Sequence, residues 1–207
     1  MRTNVYVDGF NLYYGAVKRT PYKWLDIRRM CELAFPQNTI NEIHYCTAIV
    51  QDAPWDPQQS TRQLTFIRAL ETTGVEVHYG AFLTKVTRMP LANPPASGPR
   101  MVEVIKTEEK GSDVALGTLL VAHGYQGRYE SAIVISNDSD LVLPIELVQR
   151  ELSLSVGIYN PHPRFSVELS DKLPVRPCEA PRRLSPTRTE RSRSRRSGRE
   201  RGPFAGQ

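Results

Sequence analysis

Four aspartates occupy positions where a fold could gather them. Asp8 ends the run NVYVD, Asp138 and Asp140 close the run AIVISNDSD, and Asp113 opens the segment DVALGTLLVAHG. A buried apolar run that ends in an acid places its carboxylate at a rim rather than in the core. Asp113, Leu116, Gly117 and Leu120 are spaced i, i+3, i+4, i+7, so they share one helical face and Asp113 points toward the core at a helix start. Carboxylates held together repel, and their proton affinities rise unless a cation neutralises them. The cation suited to an all-oxygen site is Mg²⁺ or Mn²⁺. Such an ion stabilises the charge that develops on a phosphoryl group under attack. Each acid also has a plainer explanation. Asp8 before Gly9 opens a turn, Asp138 and Asp140 cap the next helix, and Asp113 faces a helix macrodipole.

The elements that must position these acids alternate. Residues 4–7, 43–50, 75–79, 132–135 and 154–158 are short β-rich runs. Helical patterns lie between them, over 10–18, 26–34, 57–73, 114–123 and 141–151. Asp56 with Pro57 reads as the cap and first residue of the third helix. Ser112 reads as the cap of the fourth, which stops at Gly124, and Pro144 fits the fifth only in its first turn. Strands alternating with helices imply an α/β fold with a central parallel sheet covered on both faces, and sites in such sheets form at the carboxyl ends of the strands. The Pro-, Ala- and Gly-rich stretch 83–100 reads as an exposed loop between two extra strands, 80–87 and 100–106.

At this point the residues resemble a family. The runs VYVDGFNLYYGAVKRTPYKWLD and EKGSDVALGTLLVAHGYQGRYESAIVISNDSDLVLPI, with the strand VGIYNP, are similar to the NYN branch of the PIN-like nucleases over residues 2–171. DGFN, then KGSD, then SNDSD, in that order, is the specific part. The resemblance implies a PIN-like α/β fold, metal-dependent cleavage of RNA, and Asp8, Asp113, Asp138 and Asp140 as the metal-binding acids. It implies that Asn11 and Ser136 orient the acids or the attacking water. It departs in one respect: many relatives carry a further acid along the helix that bears Asp113, and residues 114–124 contain none.

Composition bounds the rest. The chain has 207 residues and a net charge of +5, enough for one domain with a sizeable core. The basic excess is local. From Arg176 onward ten arginines face three glutamates, a net of +7, while the remaining 17 basic and 19 acidic residues leave 1–175 at −2. The reading is a nuclease domain over 1–173 and a disordered Arg/Ser-rich tail over 174–207, where Arg193, Arg195 and Arg196 would hold polyanions without sequence preference. Tyr13, Tyr14 and Lys18, just after Asp8, are candidates for stacking bases and holding phosphates, or else belong to an amphipathic helix with half-buried tyrosines. Lys110 either meets a phosphate or pairs with Glu108 or Glu109.

Three cysteines without close pairing point away from a disulfide framework and toward a cytoplasmic setting. No apolar run reaches the roughly 20 residues of a membrane span, and the N-terminal residues do not read as a secretory signal. His44 and Cys46 share a strand face, but no partner spacing accompanies them, so core packing is expected over zinc. His78, His123 and His162 are scattered without ligand spacing. Motifs for Ser hydrolases, dinucleotides and P-loops are missing. The sequence thus reads as a metal-dependent ribonuclease with RNA as partner, and it leaves a homo-oligomer open. The rivals are cleavage of DNA and an RNA-binding or regulatory module that has lost turnover.

Overall fold

The computed structural model of the chain describes residues 1–164 together with Ser166, Val167 and Leu169. The Arg-rich segment, with Arg193, Arg195 and Arg196, lies outside these described residues.

Among the described residues seven strands form: β1 (Arg2–Asp8), β2 (Thr39–Thr47), β3 (Val75–Tyr79), β4 (Ala81–Pro90), β5 (Met101–Lys110), β6 (Ser131–Ile135) and β7 (Ser155–Tyr159). The helices are α1 (Gly9–Leu12), α2 (Ile27–Ala34), α3 (Gln59–Thr72), α4 (Ser112–Tyr125) and α5 (Val142–Glu151). Five strands make one sheet in the order β3-β2-β1-β6-β7, with every pairing parallel. The chain steps outward from β1 to β3, then returns to the other side of β1 for β6 and β7. The order therefore reverses between β1 and β6, which is where an open α/β sheet leaves a crevice at its carboxyl edge.

Strand alternation divides the core. Val5, Val7, Ile43, Tyr45, Ile133 and Ile135 face α1, α2 and α3 through Leu12, Ile27, Cys31 and Leu70. Tyr6, Cys46, Ala132, Val134, Val156 and Ile158 face α4 and α5 through Leu116, Leu120, Ile145 and Val148. Both layers are needed because β1, β2 and β6 bury side chains on both faces. Among the described residues no helix is long and apolar enough to cross a membrane.

Several boundaries differ from the sequence reading. The third helix starts at Gln59, two residues later than expected, and Asp56 does not cap it. Asp56 is held in a tight turn with Ala53, and the carboxylate that accepts a helix-start amide is that of Asp52, from Ser60 (2.8 Å). The first helix begins at Gly9 and continues past Leu12 as a π-helical turn, Tyr13–Val17, closed by the Lys18 amide on the Tyr13 carbonyl (2.7 Å). Ser112 is the first helical residue rather than the cap; that role falls to Gly111, whose φ of 95° suits glycine. The extra strands pair as expected but run further, so β4 and β5 form a long antiparallel hairpin and the Pro-rich loop shrinks to 91–100.

Candidate active site

The carboxyl ends of β1 and β6 lie side by side, and α4 points its first turn at them. Asp8, Asn11, Asp113 and Asp138 line one cleft of about 330 Å³ with Phe10, Tyr14, Val50, Phe82, Glu109 and Ser112. Asp140 does not line it. It is exposed in the short 3₁₀ turn that follows β6, at the rim, close enough that its charge acts on Asp113.

Asp8 is the most tightly placed acid, with 5% of its surface exposed. One oxygen accepts from the Asn11 amide (2.9 Å) and the other from the Ser136 hydroxyl (2.9 Å). Ser136 also accepts from the Asp138 amide (3.1 Å), and the Asn11 side chain accepts from the Asn137 amide (3.0 Å). The two polar residues of DGFN and SNDSD therefore tie the end of β1 to the end of β6. Asp138 accepts from the Asp140 amide (2.9 Å). Asp8 and Asp138 thus do act as caps, and their remaining lone pairs face the cleft. Capping and clustering are compatible here.

The electrostatics follow from the crowding. Burial raises the proton affinity of the Asp8 carboxyl above the usual carboxylate range, and the neighbouring Asp138 adds to it, against the two hydrogen bonds that favour the charged form. Asp113 is pushed up to about 6 by burial, then by the charges of Asp8, Asp138, Glu109 and Asp140. Among the described residues, no three of these carboxylates bring oxygens within 4.8 Å of one another. The donor set still fits Mg²⁺. That ion holds oxygens at about 2.1 Å, keeps several waters, and uses one or two carboxylates directly while reaching others through water.

Glu109 is a residue the sequence reading missed as a site acid. It sits on β5 and accepts from the Ser112 amide (3.1 Å), and Phe82 is its register partner on β4. On β5, Glu108 and Lys110 share one side and Glu109 takes the other. Lys110 pairs with Glu108 (3.4 Å), is exposed, and does not line the cleft. Tyr14 is a wall of the cleft, and with Phe10 and Val50 it also borders a second, larger groove lined by Tyr13, Lys18, Lys23, Trp24, Arg62 and Phe66. Lys18 lies 4.6 Å over the Tyr14 ring. The histidines, too, are less scattered than the sequence suggests. His44, His78 and His123 converge on the α4 side of the sheet. Cys46 is core, as expected, with its thiol pushed up to about 12 by burial.

Acids from separate elements on the carboxyl rim of a parallel sheet are the arrangement of a nuclease-like α/β domain. The NYN domain family model matches residues 2–173, and the chain belongs to that family. Among curated proteins it is 26% identical over 186 residues to 6-hydroxy-3-succinoylpyridine 3-monooxygenase HspA of Pseudomonas putida; the match covers 78% of this chain but only 60% of that protein's length. Among solved structures it is similar to a protein of unknown function from Vibrio parahaemolyticus, with a TM-score of 0.47, 19% identity, and coverage of 76% of this chain and 80% of that one.

The raised affinity of Asp113 has a sign that can be measured without metal. Its folded value, about 6, lies above that of an unfolded aspartate. Its contribution is therefore fully present below about pH 4 and lost as pH rises through the folded value. Burial holds His44, His78 and His123 below the usual imidazole range, so they act oppositely, destabilising the fold as pH falls. The difference between wild type and Asp113→Asn isolates the first effect. In chelator, the variant is expected to melt with the wild type near pH 3.5 and progressively above it up to pH 7.5. A difference that does not change with pH would refute the assignment.

Proposed function

We propose that this domain is a metal-dependent ribonuclease that hydrolyses phosphodiester bonds at the Asp8–Asp113–Asp138 cleft. The observation that carries this reading is the convergence of the three acids, from β1, α4 and the end of β6, on one cleft of an NYN family domain. Mg²⁺ or Mn²⁺, when bound by Asp8, Asp113 and Asp138 with Asp140 at the rim, supplies positive charge against the charge developing on the phosphoryl group. Asn11 and Ser136 hold Asp8 in one orientation, so its carboxylate need not reorganise. Asp113, with the raised proton affinity, is the carboxylate suited to take a proton from the attacking water. Phe10, Tyr14 and Phe82 offer faces on which bases stack, and the neighbouring groove offers Tyr13, Lys18, Lys23 and Arg62 to the strand that leads away. Arg193, Arg195 and Arg196 belong to this proposal as a tether that raises local RNA concentration by charge alone.

The test is incubation of the full chain with labelled single-stranded RNA and DNA in Mg²⁺, in Mn²⁺ and in chelator. Metal-dependent loss of the RNA is expected. Equal cutting of DNA would widen the substrate class. Tight RNA binding without cutting would favour a regulatory module.

A second reading comes from the Pseudomonas relative, whose name makes it act on 6-hydroxy-3-succinoylpyridine. The same aromatic walls would stack a heterocycle as readily as a base. Consumption of that compound in air with a supplied reductant, by a protein that leaves RNA intact, would replace the nuclease reading.

A further inference from the structure

A second cluster of ligating side chains lies on the α4 face of the sheet, and none of it lines the aspartate cleft. β2 and β3 pair in parallel with His44 opposite Glu76 and Cys46 opposite His78. Alternation then puts His44, Glu76 and His78 on one face. β3 is the edge strand, so this face opens to solvent at one side: the side chains of His44, His78 and Glu76 are 0%, 21% and 60% exposed. Glu42 and His123 complete the surroundings, and two trios bring ligand atoms within 4.8 Å: Glu42, His44 and His123, or His44, Glu76 and His78.

The first trio is already served. Arg128 donates to Glu42 (2.9 Å) and sits 2.8 Å from His123 Nε2, while the other ring nitrogen of His123 meets the Tyr6 hydroxyl (3.1 Å). A fixed guanidinium on two of three ligands opposes a further cation. Among the described residues no Lys or Arg pairs directly with the second trio; the Arg128 charge reaches Glu76 only at longer range. His44 Nδ1 lies 3.1 Å from His78 Nε2 and 3.5 Å from Glu76 Oε2, and His78 Nε2 lies 3.7 Å from Glu76 Oε1. A tetrahedral Zn²⁺ with bonds of about 2.0 Å separates its ligands by roughly 3.3 Å, so the two imidazole nitrogens stand near that spacing, and each has one oxygen of the Glu76 carboxylate close to it. His44 Nε2 faces Glu42 Oε2 (3.3 Å). A carboxylate on the far nitrogen is the usual device for fixing the tautomer and orientation of a metal-binding imidazole. Glu42 is itself held by Arg128 and by the buried Asn4 (2.8 Å). Burial holds His44 and His78 below the usual imidazole range, which eases the release of the proton shared between their facing nitrogens that an entering cation must displace.

We infer that His44 Nδ1, His78 Nε2 and the Glu76 carboxylate form a site for a divalent transition cation of the zinc class, with water in the fourth position. Two imidazoles and one carboxylate select Zn²⁺ or Co²⁺ over Mg²⁺, so this site and the all-oxygen cleft take different ions. The ion would clamp edge strand β3 to β2, just before the chain turns into the hairpin that supplies Phe82 and Glu109 to the cleft.

The experiment uses the full chain, stripped with chelator and dialysed. Co²⁺ is titrated while the ligand-field absorption of a four-coordinate ion is followed, and Zn²⁺ is titrated calorimetrically, for wild type, Asp8→Asn, His78→Ala and Glu76→Gln. One equivalent of Co²⁺ with the four-coordinate signature is expected in wild type and in Asp8→Asn. His78→Ala and Glu76→Gln are expected to weaken Zn²⁺ binding at least about tenfold and to lose that signature. Glu76 is exposed, so its variant decides the matter should His78→Ala fail to fold. A wild type without the signature, or a Glu76→Gln protein that binds Zn²⁺ as tightly as wild type, would overturn the site. Because Asp8→Asn is predicted to keep it, this outcome is independent of whether the cleft cuts RNA.

Discussion

Asp8→Asn is expected to lower RNA cleavage at least about a hundredfold, the scale of removing one well-placed stabiliser of transition-state charge, while leaving the metal-free protein as stable as wild type or more stable. The two halves have one origin. Asparagine keeps the shape, and its side-chain oxygen still accepts the Asn11 amide, so the helix start keeps a good cap. The Asp8 carboxyl is buried and crowded by Asp138, and its proton affinity is raised in the fold. Ionised Asp8 therefore weakens the apo fold at neutral pH, and a neutral isostere relieves that cost. A divalent ion that binds only the folded state adds about 2.7 kcal/mol at a hundred times its dissociation constant. Asp8→Asn is expected to gain less, because one anionic ligand is gone. Thermal melts with chelator and with Mg²⁺ or Mn²⁺, run beside the cleavage assay, measure both halves. If these acids served only as caps, the variant would match wild type in apo stability, metal response and cleavage, and that combination would sink the reading.

The parts of this architecture that were legible in the sequence share a physical reason. Short β-rich apolar runs and helical patterns between them leave a strong signal, so all five strands of the parallel sheet are recognisable from composition. Asp8 and Asp138 stand out because an acid ending an apolar run has few structural uses. Glu109 was hidden because the hairpin carrying it is exposed on both faces: its residues show no apolar alternation, and a glutamate there resembles any surface charge. The histidine cluster was hidden for a different reason. His44 and His78 are 34 residues apart and meet only because β2 and β3 pair in one register. His123 joins them only because α4 crosses that face. No local spacing encodes such a meeting, whereas the metal motifs that sequence does reveal lie within one turn or loop. The start of α3 was misplaced because Asp52, four residues before Asp56, supplies the carboxylate for the Ser60 amide.

Gly80→Ala is expected to destabilise the fold by about 1–3 kcal/mol, the usual range for overpacking a closed contact, and to lower cleavage by up to about a hundredfold, as a misplacement near 1 Å does. Gly80 joins β3 to β4 at the base of the hairpin, with its amide on the Thr47 carbonyl (2.8 Å). A Cβ there would stand 2.5 Å from the Lys110 carbonyl oxygen, 2.6 Å from Glu109 Oε1 and 3.0 Å from the Ser112 amide nitrogen. Two of those neighbours are backbone, so no side-chain rotation can clear the space. The third is the carboxylate that accepts the Ser112 amide and faces the cleft. The strain must move the 110–112 turn, and with it the first turn of α4 that carries Asp113. Gly157→Ala supplies the control, because a Cβ there meets nothing within 4 Å. Melting temperature, the Mg²⁺-induced shift in it, and cleavage rate are compared for the two variants. Gly80→Ala should fall below Gly157→Ala in all three, and if the two behaved alike, the base of the hairpin would not be what sets Asp113 in place.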